Sequence, residues 1–206
     1  MTEKLVLHEF AASGNCYKVR LTAALLGIPI ERREYDILKG ETRTPEFLEK
    51  VNPNGRIPVL QIGDRFIPES NAACYYLATG SALIPADRFD CADMLRWMFW
   101  EQYNHEPNIA TLRFWIHEIG IDNLTEMQRA LVPGKREGGN AALKLMEDHL
   151  SRHDWLVADR VSLADVCLFA YTHVAGDAEF RLSDYPHVSK WIGRFQAQPN
   201  YLPISA

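Results

Sequence analysis

Asn52-Pro-Asn-Gly-Arg-Ile-Pro-Val-Leu-Gln-Ile-Gly-Asp-Arg-Phe-Ile-Pro-Glu-Ser70 is the stretch on which the fold turns. Inside it, Pro58-Val-Leu-Gln-Ile62 and Arg65-Phe-Ile67 are short apolar runs, and Gly63-Asp64 between them is tight-hairpin chemistry. A hairpin is antiparallel by construction. Working back from it, Pro45 to Lys50 predicts a short helix with Pro45 in its first turn, reached through a loop from Asp36 to Thr44. Ile30 to Tyr35 and Lys4 to His8 predict two further strands, the latter with Leu5-Val6-Leu7 as its core. Between them Cys16, Val19, Ala23 and Leu26 recur at helical spacing, with turn and cap residues at Ser13, Gly14 and Asn15 and a stop at Gly27 and Pro29. Working forward, Glu69 to Thr79 reads as a helix with Ala73, Tyr76 and Leu77 on one face.

The resulting order is β-α-β-α-β-β-α. A strand-helix-strand unit needs a right-handed crossover and gives parallel pairing, while the final hairpin adds antiparallel strands. A mixed sheet of four strands follows, the thioredoxin-like layout, assigned to residues 1–80. After Gly80 the strand signals stop. Residues 81–86 read as a linker and 87–206 as an all-helical domain. Asp87 to Ile119 is a long helical stretch rich in Trp and Phe, which Pro107 should kink or break. Ala142, Leu145, Met146, His149 and Leu150 outline another helix. Ser162-Leu-Ala-Asp165 is a capping box, with Val161 and Val166 placed for a hydrophobic staple, and a last helix runs from about His187 to Gln196. The fold class is therefore α/β followed by a helical bundle.

Composition narrows the function classes. In 206 residues, 47% are hydrophobic and 24% charged, which is ordinary globular usage, so disorder is not the default. The formal charge is −5 with both signs interleaved, which argues against nucleic acid or an anionic membrane as partner. Cys16, Cys74, Cys91 and Cys167 are too far apart for a C-x-x-C redox pair or a zinc site and read as buried hydrophobes of a reducing compartment. The first residues lack a basic segment followed by an apolar one, and no apolar run approaches the ~20 residues of a membrane span. A cytoplasmic location is expected.

Ser13-Gly-Asn-Cys-Tyr-Lys-Val-Arg20, Asn52 to Leu60 and Pro68-Glu-Ser70 resemble the first domain of cytosolic glutathione transferases. Asp154-Trp-Leu156, Ser162-Leu-Ala-Asp165 and Tyr185-Pro-His-Val-Ser-Lys-Trp191 resemble the second, so the likeness covers nearly the whole chain. The pattern is similar to the serine-type classes (theta, zeta and related bacterial proteins). By itself Ser13 reads as a turn or cap residue; the resemblance implies that its hydroxyl stabilises the thiolate of glutathione, the co-substrate. Asn15 is then the expected cap of the first helix. Cys16, one turn in on the apolar stripe, is expected to be buried. The resemblance further implies a cis Ile57-Pro58 bond, with the Ile57 backbone pairing with the cysteinyl part of glutathione. Glu69 would receive the γ-glutamyl ammonium, and Ser70 would hold its carboxylate at a helix N-terminus. Arg43 would contact the glycine end.

A small hydrophobic electrophile is expected against Phe10, Ala11, Tyr103, His105, Glu106 and Trp115. His105 and His117 have no third ligand nearby at their spacing, so no metal is expected. The implied activity is conjugation of the glutathione thiolate to electrophiles, a detoxification chemistry, in a homodimer. A glutathione-dependent isomerase, dehalogenase or peroxidase on the same fold is an alternative, as is a non-catalytic binding module.

Overall fold

The computed structural model describes residues 4–206 and divides into two compact units. One comprises residues up to 84 together with 198–206, and the other is 85–197. Residues 198–206, which the sequence had placed with the helical domain, pack instead with the first unit, because Tyr17 and Arg20 of that unit bond the main chain of Leu202, Ile204 and Ala206. The first three residues of the expected first domain lie outside the described residues.

In the first unit the elements are β1 (Leu5–Glu9), α1 (Gly14–Leu25), β2 (Glu31–Glu34), α2 (Pro45–Lys50), β3 (Val59–Ile62), β4 (Arg65–Pro68) and α3 (Ser70–Ala78). The sheet order is β2-β1-β3-β4, with β1 parallel to β2 and β3 antiparallel to both β1 and β4. This is the predicted mixed sheet. Its interior strands carry the core residues Val6, Leu7, Val59, Leu60 and Ile62, whereas edge strand β2 is Glu-Arg-Arg-Glu and fully exposed, which discourages edge-to-edge pairing. The end of α1 satisfies its last carbonyls as the sequence anticipates. Gly27 stands at φ 65°, its N–H donates to Ala24 and the Ile28 N–H donates to Ala23. His8 is fully buried yet paired on both sides: Nε2 donates to Gln61 Oε1 and Nδ1 accepts from the Tyr35 hydroxyl, each at 2.9 Å. Burial holds its pKa below the usual imidazole value, so it is a neutral spacer in the sheet.

The second unit contains α4 (Arg88–Trp100), α5 (Glu106–Arg113), α6 (Glu126–Leu150), α7 (Leu163–Thr172) and α8 (Pro186–Gln196). Pro107 does disturb the long helical stretch. A π-helical turn, Glu101–His105, widens the helix just before it, which makes room for the ring and for the missing N–H. α6 begins far earlier than the apolar pattern at Ala142 suggests, and it runs straight through Pro133. Its N-terminus carries a full capping box, Thr125 to Gln128. Gly138 and Gly139, poor helix formers, are there because α5 and Phe180 approach: a Cβ on Gly139 would lie 2.3 Å from the Phe180 ring. Propensity loses to packing at this point.

The capping box at the start of α7 forms as predicted and becomes a hub. Asp165, wholly buried, accepts from the Ser162 N–H at 2.9 Å, the Ser162 hydroxyl at 3.0 Å, the Leu156 N–H at 3.1 Å and the Trp191 indole at 3.0 Å. Burial pushes its carboxyl up to about 6, the four hydrogen bonds pulling the other way.

These contacts give two predictions. Gly139→Ala should destabilise by roughly 1–3 kcal/mol by overpacking Phe180, whereas Gly134→Ala, with open space around it, should stabilise by about 1 kcal/mol; urea unfolding reads both. Asp165→Ala, which strands the Leu156, Ser162 and Trp191 donors, should cost roughly 3 kcal/mol at pH 7. An acid whose folded pKa lies above its unfolded value binds more protons when folded, so its contribution is fullest below about 4 and is lost as pH rises through about 6. The cost of Asp165→Ala should therefore grow as pH is lowered across that window.

Candidate active site

The register of β3 assembles the site. Val59 pairs with His8 on one side and with Pro68 on the other, so Pro58, Glu9 and Glu69 stand at the same end of the sheet. α1 starts a few residues after β1, and α3 starts immediately after β4. Both helices therefore present their N-termini at that end, where unpaired N–H groups and the macrodipole favour negative charge. The Ser70 hydroxyl, which donates to Asn15 Oδ1 at 3.3 Å, ties the two termini together.

Ser13 is the N-cap of α1, in extended conformation, and its Oγ accepts from the Cys16 N–H at 3.4 Å. The sequence reading had given the cap to Asn15. Asn15 instead lies inside the first turn of α1, where its side-chain oxygen bonds Ser70. A turn closed by the Ser13 N–H to the Phe10 carbonyl at 2.9 Å shapes the Phe10–Ser13 loop, and Ala11 donates to Glu34 Oε1 at 2.7 Å. Cys16 is fully buried, its sulfur accepting from the Phe10 N–H at 3.4 Å. Burial pushes the thiol up to about 12, against smaller opposing contributions from the Phe10 N–H and the Ser13 hydroxyl. It is a core residue and no nucleophile at neutral pH.

The Ile57-Pro58 bond is cis, Ile57 being half-buried and Pro58 buried. Glu69, exposed, holds φ at 71°, a left-handed conformation that costs a non-glycine residue of order 1–3 kcal/mol and recurs at ligand clamps. It stands at the N-cap of α3 without a side-chain cap bond, which leaves that terminus to Ser70, 6% exposed. Arg43 is exposed, and its Nη1 donates to the Asn54 carbonyl at 2.9 Å. Gly55 beneath it has φ 63°, and a Cβ there would sit 2.6 Å from the same nitrogen, so the glycine admits the arginine. Asn52, to which the sequence reading assigned no role, organises this loop. Its Nδ2 donates to the Arg56 carbonyl at 2.9 Å and its Oδ1 accepts from the Asn54 N–H at 3.0 Å. The Asn-Pro-Asn-Gly run was the available signal, since Asn side chains commonly close such turns.

The candidates in the helical unit do not share an environment. Tyr103 is 86% exposed on the π-helical turn. His105 is fully buried, with Nε2 donating to Thr172 Oγ1 at 2.8 Å, while the Thr172 hydroxyl donates to the Leu168 carbonyl. Glu106 is half-buried in the first turn of α5. Trp115 packs on the cluster of Ile109, Leu112 and Leu143, with the Lys135 ammonium 5.6 Å from its ring centroid.

Both units resemble known proteins. Residues 7–82 match the family model for the glutathione S-transferase N-terminal domain, and residues 100–199 match that for its C-terminal domain. A crystal structure of a possible glutathione S-transferase from Rhodopseudomonas palustris is 41% identical, superposes with a TM-score of 0.93 and matches 98% of each chain. Glutathione S-transferase 1 of Dianthus caryophyllus is 32% identical over 178 residues, which is 81% of this chain and 75% of that protein. Elongation factor 1-gamma 3 of Oryza sativa subsp. japonica is 29% identical over 97% of this chain but only 48% of its own length, so the chain spans about half of that relative. With both domain models matched in order and these relatives aligned along most of its length, the chain belongs to the glutathione S-transferase family.

Proposed function

We propose that the chain is a serine-type glutathione transferase, in which Ser13 holds the thiolate of glutathione for attack on a small hydrophobic electrophile. The observation that carries this reading is the convergence of two helix N-termini, each with a hydroxyl residue, at one end of the sheet, tied by the bond from Ser70 to Asn15. Glutathione has complementary charges. Its γ-glutamyl carboxylate suits Ser70 at the N-terminus of α3, and its ammonium suits the exposed Glu69 beside it. The Ile57 main chain, next to Pro58, pairs with the cysteinyl unit. Arg43 receives the glycine carboxylate. The thiol then falls at Ser13 and the N-terminus of α1.

The energetics are adequate. A thiol of pKa about 8.5 is only ~3% ionised at pH 7, and lowering it by about two units requires about 2.7 kcal/mol of preference for the anion. One hydroxyl bond to a charged acceptor is worth about 1.5–3 kcal/mol, and helix-terminal N–H groups add to it. Phe10, Ala11, Tyr103, Glu106 and Trp115 are proposed as electrophile contacts, whereas His105, fully buried and bonded to Thr172, is not one of them. A cytoplasmic homodimer completes the proposal; exposed Tyr75 and Tyr76 on α3 and Phe89 and Phe99 on α4 are apolar surface of the kind that interfaces cover. A stable monomer in sedimentation at micromolar concentration would remove the dimer.

A second reading is a non-catalytic module, favoured by the elongation factor 1-gamma relatives. Glutathione binding separates the two. Ser13→Ala should raise the pKa of bound glutathione and lower turnover at pH 7 by about ten- to hundredfold, a loss that shrinks at high pH where the thiol ionises unaided. Ser70→Ala should weaken glutathione binding at every pH, and Cys16→Ala should leave the pH profile unchanged. Thiolate absorbance of the glutathione complex, titrated against pH, reads all three. A shift in Cys16→Ala with none in Ser13→Ala would overturn the serine assignment, and absence of binding in the unmodified protein would favour the module.

A further inference from the structure

Arg20 is 2% exposed and lies on the face of α1 behind the Phe10–Ser13 loop. Its Nε stands 3.1 Å from Oε2 of Glu9, itself fully buried at the end of β1. Its Nη2 donates to the Ala11 carbonyl at 2.7 Å and to the Ile204 carbonyl at 3.2 Å, and its Nη1 donates to the main-chain oxygen of Ala206 at 2.8 Å. Arg32 pairs with the other oxygen of Glu9 and donates from Nη1 to Ala206 at 3.0 Å. The Tyr17 hydroxyl donates to the Leu202 carbonyl at 2.6 Å. Two guanidinium groups, one carboxylate and the returning segment thus form one closed network.

We infer that the segment Leu202–Ala206, clamped by Arg20 and Arg32, is a working part of the thiol site, and that Arg20 is a positioning residue that sets the Ala11 carbonyl and through it the place of Ser13. This rests on the reading of Ser13 as the thiolate partner. The loop is short and is held at Ala11 from both sides, its N–H by Glu34 and its carbonyl by Arg20. Arg20 donates to three main-chain oxygens at once, with the Glu9 carboxylate close enough for an ion pair, an arrangement that suits the planar fork of arginine. Without residues 202–206, two of those oxygens vanish and the buried guanidinium is left to water and Glu9, so its grip on Ala11 loosens. Hydrogen bonds to a developing charge depend on positioning within a few tenths of an ångström, so a mobile loop weakens the anion more than it weakens binding of the rest of glutathione.

The test uses a chain ending at Tyr201, together with Arg20→Lys, which keeps a cation for Glu9 but loses the fork, and Arg32→Gln, which removes contacts to Ala206 and Glu9 but none to Ala11. Hydrogen exchange is read at Ala11, Ala12 and Ser13 against Val59–Ile62 of β3, which should stay protected. The pKa of bound glutathione is read by thiolate absorbance, and affinity by S-methylglutathione, whose sulfur cannot ionise. The truncated chain and Arg20→Lys should exchange at least about tenfold faster in the loop. In both, the bound thiol pKa should rise by about one unit, with S-methylglutathione affinity changed less than about twofold. Arg32→Gln should lie between them and the parent. Protection unchanged in a folded truncated chain overturns the clamp, and faster loop exchange with an unmoved thiol pKa overturns the link to the thiol. If the parent gives no thiolate signal, the serine reading fails on its own, and the exchange data still decide whether the tail holds the loop.

Discussion

The structure of the first unit depends on the double pairing of β3. This strand is antiparallel to β1 and to β4, and its first residue, Val59, is registered with His8 and Pro68 at once. A one-residue slip of β3 would move Leu60 and Ile62, which share a buried face, to the opposite face and put Gln61 in their place, so burial favours this register. That register decides where the loops go. The residues following β1, preceding β3 and following β4 must emerge at one end, and two helices begin there. Chemistry at that end follows from main-chain geometry before any side chain is considered. Helix N-termini supply donors and positive potential, and Ser13 and Ser70 place hydroxyls beside them.

The two candidate sulfur partners in the first helix show how small displacements divide roles. Ser13 precedes the helix, half-exposed, with its oxygen at the N-terminal donors. Cys16, three residues on, is turned into the core, where loss of hydration outweighs the helix dipole and keeps the thiol protonated. The same burial explains Arg20, one turn further on. It is retained in the interior because three main-chain oxygens accept from its fork and the Glu9 carboxylate balances its charge, and those oxygens belong to Ala11, Ile204 and Ala206. A buried ion pair of this kind adds less stability than its Coulomb attraction suggests, and its value lies in fixing one arrangement.

In the helical unit, Asp165 plays the comparable part. It caps α7, receives the Trp191 indole of α8 and bonds the Leu156 main chain, so a local helix start becomes a tertiary joint. The burial that makes the joint specific also raises its pKa, which couples this unit to pH. Arg113, 7% exposed, does similar work at the other end of α5 through Asp177 at 3.1 Å.

Much of this was legible in the chain. Strand and helix periods, the Gly63-Asp64 hairpin, the Gly27 stop and the Ser162-Asp165 box are local signals, and each names an element that the structure contains. The candidate site residues of the first unit came from the resemblance to glutathione transferases, and the local turn chemistry of Asn52-Pro-Asn-Gly was present in the chain although its role emerged only from the structure. Three matters lay with the tertiary structure. α6 carries Gly138 and Gly139 because neighbouring side chains need the space, which no propensity registers, and it also runs through Pro133. Ser13 rather than Asn15 caps α1 because Asn15 is engaged by Ser70, 55 residues away. Residues 198–206 return to the first unit because carbonyls, identical in every residue, find Arg20 and Tyr17 there. A sequence encodes what each residue prefers near itself, whereas main-chain acceptors and close approach acquire meaning only when distant segments meet.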